Sequence, residues 1–136
     1  MCTADNILEL IPQRPPFVFV DKLSGLDNPT AFGSELLIRF DNPLLDEDSL
    51  SEAGLVEFVA QSMAAHIGYF GGDEVKIGVI GSIKKLSVSK LPMLGDTIFA
   101  ELVITNKVFN VTLVEAKILC AGEEIAFCEM KVAVPD

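Results

Sequence analysis

Histidine is nearly missing from this 136-residue chain, with His66 the only one. That excludes histidine-rich metal sites and leaves carboxylates as most of the acid/base capacity near neutral pH. Cysteine is scarce as well: Cys2, Cys120 and Cys128 form an odd set with no CxxC or metal-type spacing. No hydrophobic signal segment follows Met1, so the expected compartment is the reducing cytoplasm. Nor does any apolar run reach the ~18 residues of a bilayer span, and no membrane partner is expected. Cations are few, ten Lys and Arg against 20 Asp and Glu, and the formal net charge of −10 argues against nucleic acid or an anionic membrane through the overall field. Repeats, linkers and low-complexity segments are absent too, so residues 1–136 read as one domain.

What the chain does have is apolar residues, 50% of the total, enough for a real core once roughly two-thirds of the unfolded surface is buried. The stretch 54–70 predicts one long helix, with Leu55, Phe58, Val59, Met63, Ile67 and Phe70 at three-and-four spacing. Its other side carries Val56, Ala60, Ala64 and Ala65, which leaves only Glu57, Gln61, Ser62 and His66 in need of hydrogen bonds. A helix apolar nearly all round is one the rest of the protein wraps. Glu57 and Gln61 are four apart and share a face. A charge planted there is expensive unless it is paired, protonated or facing a cleft. Glu57 is therefore the residue that needs a reason.

Taken in order, Asn6 to Ile11 predicts a short helix capped by Asp5 and ended by Pro12, and Gln13-Arg14-Pro15-Pro16 fits no regular structure. Phe17 to Leu23 and Ala31 to Phe40 predict two strands separated by the turn Asp27-Asn28-Pro29-Thr30. Asp41 to Ser51 is a polar connection, in which Ser49-Leu50-Ser51-Glu52 fits a capping box. Gly71-Gly72 stops the helix. Lys76 to Lys90, Thr97 to Val108, Thr112 to Cys120 and Ile125 to Val134 then predict strands, the last pair a hairpin around Ala121-Gly122-Glu123-Glu124. The layout predicts an α+β domain, a curved antiparallel sheet of about five or six strands around one helix, and a symmetric dimer to cover what such a sheet leaves open.

The residues at this point resemble the hot-dog-fold 3-hydroxyacyl-acyl-carrier-protein dehydratase family, over about Ile7 to Val132. Ile11 to Asp21 is similar to the family's opening proline-histidine-arginine and proline-phenylalanine sequence. Glu57-Phe58-Val59-Ala60-Gln61-Ser62 is similar to its helix motif, Leu94-Gly95-Asp96 to its proline-glycine-aspartate turn, and Ala126 to Lys131 to its closing strand. The resemblance implies a site at a dimer interface, with an acyl chain in an apolar tunnel beside the helix. It also implies that a loop histidine and the helix glutamate of the other subunit together remove water from a 3-hydroxyacyl thioester. Glu57 takes the glutamate position and Gln61 that of the glutamine orienting it, while Gly54, Phe58 and Met63 are the expected substrate contacts. No cofactor and no metal are implied. The histidine itself is replaced: counted back from Glu57, the loop motif falls on Asn42 to Asp46 and puts Pro43 at its place. Gln13 stands for the opening histidine, and Glu52 for the glycine whose N–H would polarise the thioester.

Each residue also has a plainer reading. Glu57 is a retained catalytic carboxylate or a buried glutamate satisfied by Gln61. Asp48 and Ser49 are a substitute for the histidine, or a solvated carboxylate and a helix cap. His66 lies two and a half turns beyond Glu57 and reads as a core or interface histidine. Arg14, Lys84, Lys85 and Lys90 suit docking of an acidic carrier protein, or are solvated charges. Three functions follow: a dehydratase acting on thioesters of acyl carrier protein or coenzyme A, an inactive acyl-binding subunit paired with a complete relative as a heterodimer, or a thioesterase using Glu57.

Overall fold

The computed structural model describes residues 3–71 and 79–133; the side chains of 79–81, like Cys2, Gly72, Lys76 and Val134, lie outside what is described. Strands β1 (Thr3–Ala4), β2 (Lys22–Ser24) and β3 (Ala31–Leu37) come first, then the small hairpin β4 (Leu45–Asp46) and β5 (Ser49–Leu50). Helix α1 (Glu52–Phe70) follows, and β6 (Val79–Val88), β7 (Thr97–Val108), β8 (Val111–Cys120) and β9 (Glu123–Ala133) complete the chain. Among the described residues the main sheet has seven strands in the order β1-β2-β3-β7-β8-β9-β6, so the five or six expected are exceeded by the short β1 and β2 at one edge. Every pairing in it is antiparallel.

The meander is strongest where alternation and turn residues agree. Ile98, Ala100 and Leu102 on β7, Val114, Ala116 and Ile118 on β8, and Cys128, Met130 and Val132 on β9 all point inward. The β8–β9 turn is Ala121-Gly122, both at positive φ (52° and 80°), the mirror-type turn whose twist matches the strands it joins. Against the sheet lies α1, with Phe58, Val59, Met63 and Ala65 fully buried. Burial of a side chain the size of Phe58 or Met63 contributes about 1.5–3 kcal/mol. Gly68 lets the helix touch the Leu10 carbonyl, since a Cβ there would overlap that oxygen.

Four local expectations need correction. Asn6 to Ile11 forms only a 3-10 turn, Ile7–Glu9, preceded by Asn6 rather than capped by Asp5, and the Asn6 amide donates to Glu9 Oε2 (2.8 Å) instead of capping. So short a segment ending at a proline cannot repay helix nucleation. Phe17 to Leu23 is a strand only from Lys22. The preceding main chain uses its polar groups elsewhere, Phe17 O and Phe19 N being taken by the Gln61 side chain. β3 ends at Leu37 because Asp21 Oδ2 accepts the Leu37 N–H (2.7 Å) and Ile38 N turns to Asp96 O (2.9 Å). Finally, the helix is capped by Ser51, whose Oγ accepts the Gly54 N–H (3.2 Å), and not by Ser49. Leu50 N bonds to Pro92 O and Ser51 N to Leu44 O, which holds 50–51 extended and delays the helix by two residues.

Candidate functional site

Gln61 is 2% exposed and almost completely satisfied. Its Nε2 donates to Phe17 O (2.9 Å) and to Glu57 Oε1 (2.9 Å), and its Oε1 accepts the Phe19 N–H (2.7 Å). This pattern fixes which end of the amide is which, because only the nitrogen can serve a carbonyl and a carboxylate. One side chain thereby ties the 17–19 segment to α1 and holds the carboxylate one turn away. Glu57 itself stays partly exposed, so its carboxylate is oriented on one oxygen without being sealed in the core. Next to this pair Ser62 Oγ donates to Phe58 O and meets Ser34 Oγ, both at 2.7 Å, which locks the helix to β3.

The other residues named from the sequence lie in several places. Pro43, expected from the sequence to stand where the family has its histidine, is exposed in a loop tied by Leu44 N to Asn42 Oδ1 (2.9 Å). Ser49 directs its hydroxyl to Asp46 O (3.3 Å), and exposed Asp48 accepts the Leu94 N–H on its carbonyl (2.7 Å). The hydrogen bonds of Ser49 and Asp48 thus run to the β4–β5 hairpin and the Met93–Leu94 turn, while that of Glu57 runs to Gln61. Gly54 is buried on the Leu50 side chain, with its N–H on Ser51. Phe58 and Met63 have no exposed surface and belong to the protomer's core.

His66 is buried, stacked on Phe32 at 4.0 Å between centroids and tilted against Phe70 at 4.8 Å. Burial first, then Lys107, pushes its pKa down to about 4, against the pull of a hydrogen bond with the Pro29 backbone. Nine residues past Glu57, it sits about 13 Å further along the helix axis. A neutral, enclosed imidazole at that distance is not a partner for the carboxylate within one protomer.

Among the basic residues, Arg14 adjoins the anchored segment, its carbonyl accepting the Phe17 N–H (2.9 Å). Arg14 Nη1 donates to Ile11 O (2.9 Å) and Gln13 O (2.8 Å). Lys85 pairs with Glu129 (3.3 Å) and Lys90 lies 3.9 Å from Glu123. Lys84 borders a cleft of about 310 Å³ on the outer side of β6, β8 and β9, with Lys131, Glu115 and Glu129 among its walls. Among the described residues no cluster of three or more His, Cys, Asp or Glu could hold a metal, and no helix is long and apolar enough to cross a membrane.

The sequence did not reveal the backbone partners of Gln61, or the Ser34–Ser62 contact. The only signal was a glutamine and a serine on an otherwise apolar helix, which says that partners exist without saying where.

Comparison with known proteins adds what geometry alone cannot. The chain is 27% identical over 134 residues to a 3-hydroxyacyl-acyl-carrier-protein dehydratase FabZ of Clostridioides difficile strain 630, covering 90% of this chain and 94% of that one. In fold it is similar to a chain of the dehydratase heterocomplex ApeI:P from Xenorhabdus doucetiae, with TM-score 0.86 and 14% identity over 96% of this chain and 91% of the other. A hypothetical thioesterase protein from Streptococcus pneumoniae TIGR4, solved with coenzyme A, shares the hot-dog fold at TM-score 0.63 and 11% identity, covering 79% of this chain and 80% of that one. The family model for ApeP-like proteins, described as ApeP dehydratase, matches residues 5–136. A divergent hot-dog protein whose central helix bonds Gln61 to Glu57, this chain belongs to the ApeP-like dehydratase family.

Proposed function

We propose that this chain is one subunit of a two-subunit dehydratase that removes water from 3-hydroxyacyl thioesters, and that Glu57 is the acid/base group it contributes. The observation carrying this reading is the bond from Gln61 Nε2 to Glu57 Oε1 (2.9 Å), with the rest of the Gln61 amide anchored to the backbone. An amide fixed at three points holds a partly exposed carboxylate in one orientation, as a proton-transfer group requires.

Dehydration breaks the C2–H and C3–O bonds, forms the C2=C3 double bond and releases water. One proton leaves carbon while another joins the departing hydroxyl, so two proton-handling positions are needed, or one that shuttles between both. Glu57 offers one. Among the described residues of the protomer the second is not at hand: Pro43 has no proton to give, the Ser49 hydroxyl is turned to Asp46, Asp48 is an exposed carboxylate of the β4–β5 turn, and His66 is enclosed by Phe32 and Phe70. The missing group then comes from a relative that keeps the loop histidine and faces Glu57 across a mixed interface. Likeness to a chain of a dehydratase heterocomplex supports this arrangement. Gln61 acts as the positioning residue. Lys84 and Arg14, free of carboxylate partners among the described residues, suit the approach of an acidic carrier protein.

The test is turnover of a 3-hydroxyacyl thioester by the chain alone, by a histidine-bearing relative alone and by the two copurified. Enoyl thioester made faster by the pair than by either subunit is the expected result. Equal rates for the relative with and without this chain would defeat the proposal, and release of free thiol from a saturated thioester by this chain alone would favour the thioesterase reading.

A further inference from the structure

The strands that wall the outer cleft are irregular on both sides of it. β7 carries an extra residue between Ile104 and Asn106, and β6 carries extra residues between Ile80 and Ser82 and again between Lys84 and Ser87. Bulges bend and twist the strand that holds them and re-aim its side chains. The sheet bends here rather than running flat, and the cleft of about 310 Å³ opens on the face away from α1. The second bulge of β6 holds Lys85 at φ 55°, a conformation that strains a residue with a side chain and clusters at sites.

The consequence of that bulge is a redistribution of charge. Register places Lys84 directly opposite Glu129, and Glu129 opposite Glu115 on the next strand. Lys85 nevertheless takes Glu129 (3.3 Å), which leaves Lys84 to the cleft. Lys131, opposite Ser82, is in no ion pair among the described residues, and neither is Glu115. Glu115 is thus kept unpaired although it faces a second acid, an arrangement that is destabilising in a sheet. In the neighbouring row of the outer face Lys117 stands opposite Glu101, so that pair adds no net charge. The walls therefore present two unpaired ammonium groups with the Ser82 hydroxyl on the β6–β9 side, and an unpaired carboxylate with the Thr105 hydroxyl on the β7–β8 side. β6 and β8 are two strand spacings apart, about 10 Å.

We propose that this cleft is a second binding site, for a small phosphate monoester of a polyol, with the phosphate on Lys84, Lys131 and Ser82 and the hydroxyls on Glu115 and Thr105. A monoester carries a charge of about −1.5 to −2 at neutral pH, which two unpaired lysines match. A carboxylate only accepts hydrogen bonds, so Glu115 calls for donors such as hydroxyls at the other end of the ligand. Among the described residues the walls hold no aromatic ring, so a nucleotide base would have nothing to stack on. The volume is at the lower end of the range for small-molecule sites, about 300–1,000 Å³. This inference goes beyond the dehydratase reading and does not rest on it, because the cleft and α1 are on opposite faces of the sheet.

Equilibrium dialysis of the whole chain at about 50 mM salt, against labelled ribose 5-phosphate, ribose and inorganic phosphate in turn, tests the proposal. Ribose 5-phosphate should bind saturably with Kd of about 1 mM or tighter, and at least about tenfold more tightly than ribose or inorganic phosphate, the gain expected from hydrogen bonds to a charged group. K84A/K131A should weaken ribose 5-phosphate by about tenfold or more, and Glu115→Ala should weaken ribose 5-phosphate while leaving inorganic phosphate bound no less tightly. Absence of saturation up to about 10 mM, equal affinity for ribose 5-phosphate and inorganic phosphate, or an affinity unchanged in K84A/K131A would overturn the proposal. Unchanged thermal unfolding shows that a variant is intact. Should the double variant unfold, Lys84→Ala alone, at an exposed position, decides by the same comparison.

Discussion

Replacing Gln61 by alanine removes three hydrogen bonds at once, and it strands the Phe19 N–H, whose residue is fully buried. An orphaned buried group costs about 1–3 kcal/mol, so Gln61→Ala should lower the unfolding free energy from urea titration by an amount in that range. Gln61→Glu is the sharper probe, since it keeps the shape but sets a second acid beside Glu57. His66 makes a separate claim about pH. Its folded pKa of about 4 lies below the ordinary 6.5, so the unfolded chain takes the proton more readily and stability is complete only above about pH 6.5. It should decline as pH falls from there towards 4, by roughly 3 kcal/mol in all. His66→Phe keeps a ring between Phe32 and Phe70 and should flatten that part of the profile relative to wild type. Parallel profiles from denaturant unfolding at pH 7 and 4.5 would contradict the assignment.

At the scale of elements, two substitutions test how α1 is held. Ser51→Ala removes the side-chain oxygen that accepts the Gly54 N–H, and should destabilise by about 1 kcal/mol, while Ser49→Ala should have little effect. Gly68→Ala drives a Cβ into the Leu10 carbonyl, a backbone atom that cannot step aside, and should lower the melting temperature by more than Ser51→Ala does. These elements also show what could be read in advance. The apolar spacing of α1 and the turn residues of the β7–β9 meander are local signals, and there the chain and its fold agree within two or three residues. Segments whose partners are distant in sequence were illegible. Phe17-Val18-Phe19-Val20 has strand composition, yet its main chain bonds to a side chain more than 40 residues away. Ser49 looked like a cap because nothing local reveals that Pro92 O takes the Leu50 N–H. The same limit applies to the site: Glu57 and Gln61 were visible as polar groups out of place, but the anchoring of Gln61 was not.

Across the whole molecule, charge and apolar surface are arranged unevenly. Lys85 of β6 pairs with Glu129 and Lys84 borders the outer cleft, with Lys90 beyond the strand 3.9 Å from Glu123, while the loops before α1 carry the exposed Asp46, Glu47, Asp48 and Phe40. A protomer built this way holds an oriented carboxylate and lacks an imidazole that can reach it. Its family membership is fixed by the match over residues 5–136, and on the proposed reading its activity depends on what is set opposite Glu57. The most direct measurement is the rate of enoyl thioester formation by the copurified pair, with Glu57→Gln in this chain and the relative unchanged. Assembly should persist and the rate should fall by at least about 100-fold, the usual contribution of a general acid or base. A pair that assembles and dehydrates at the wild-type rate would show that this carboxylate takes no part in the chemistry.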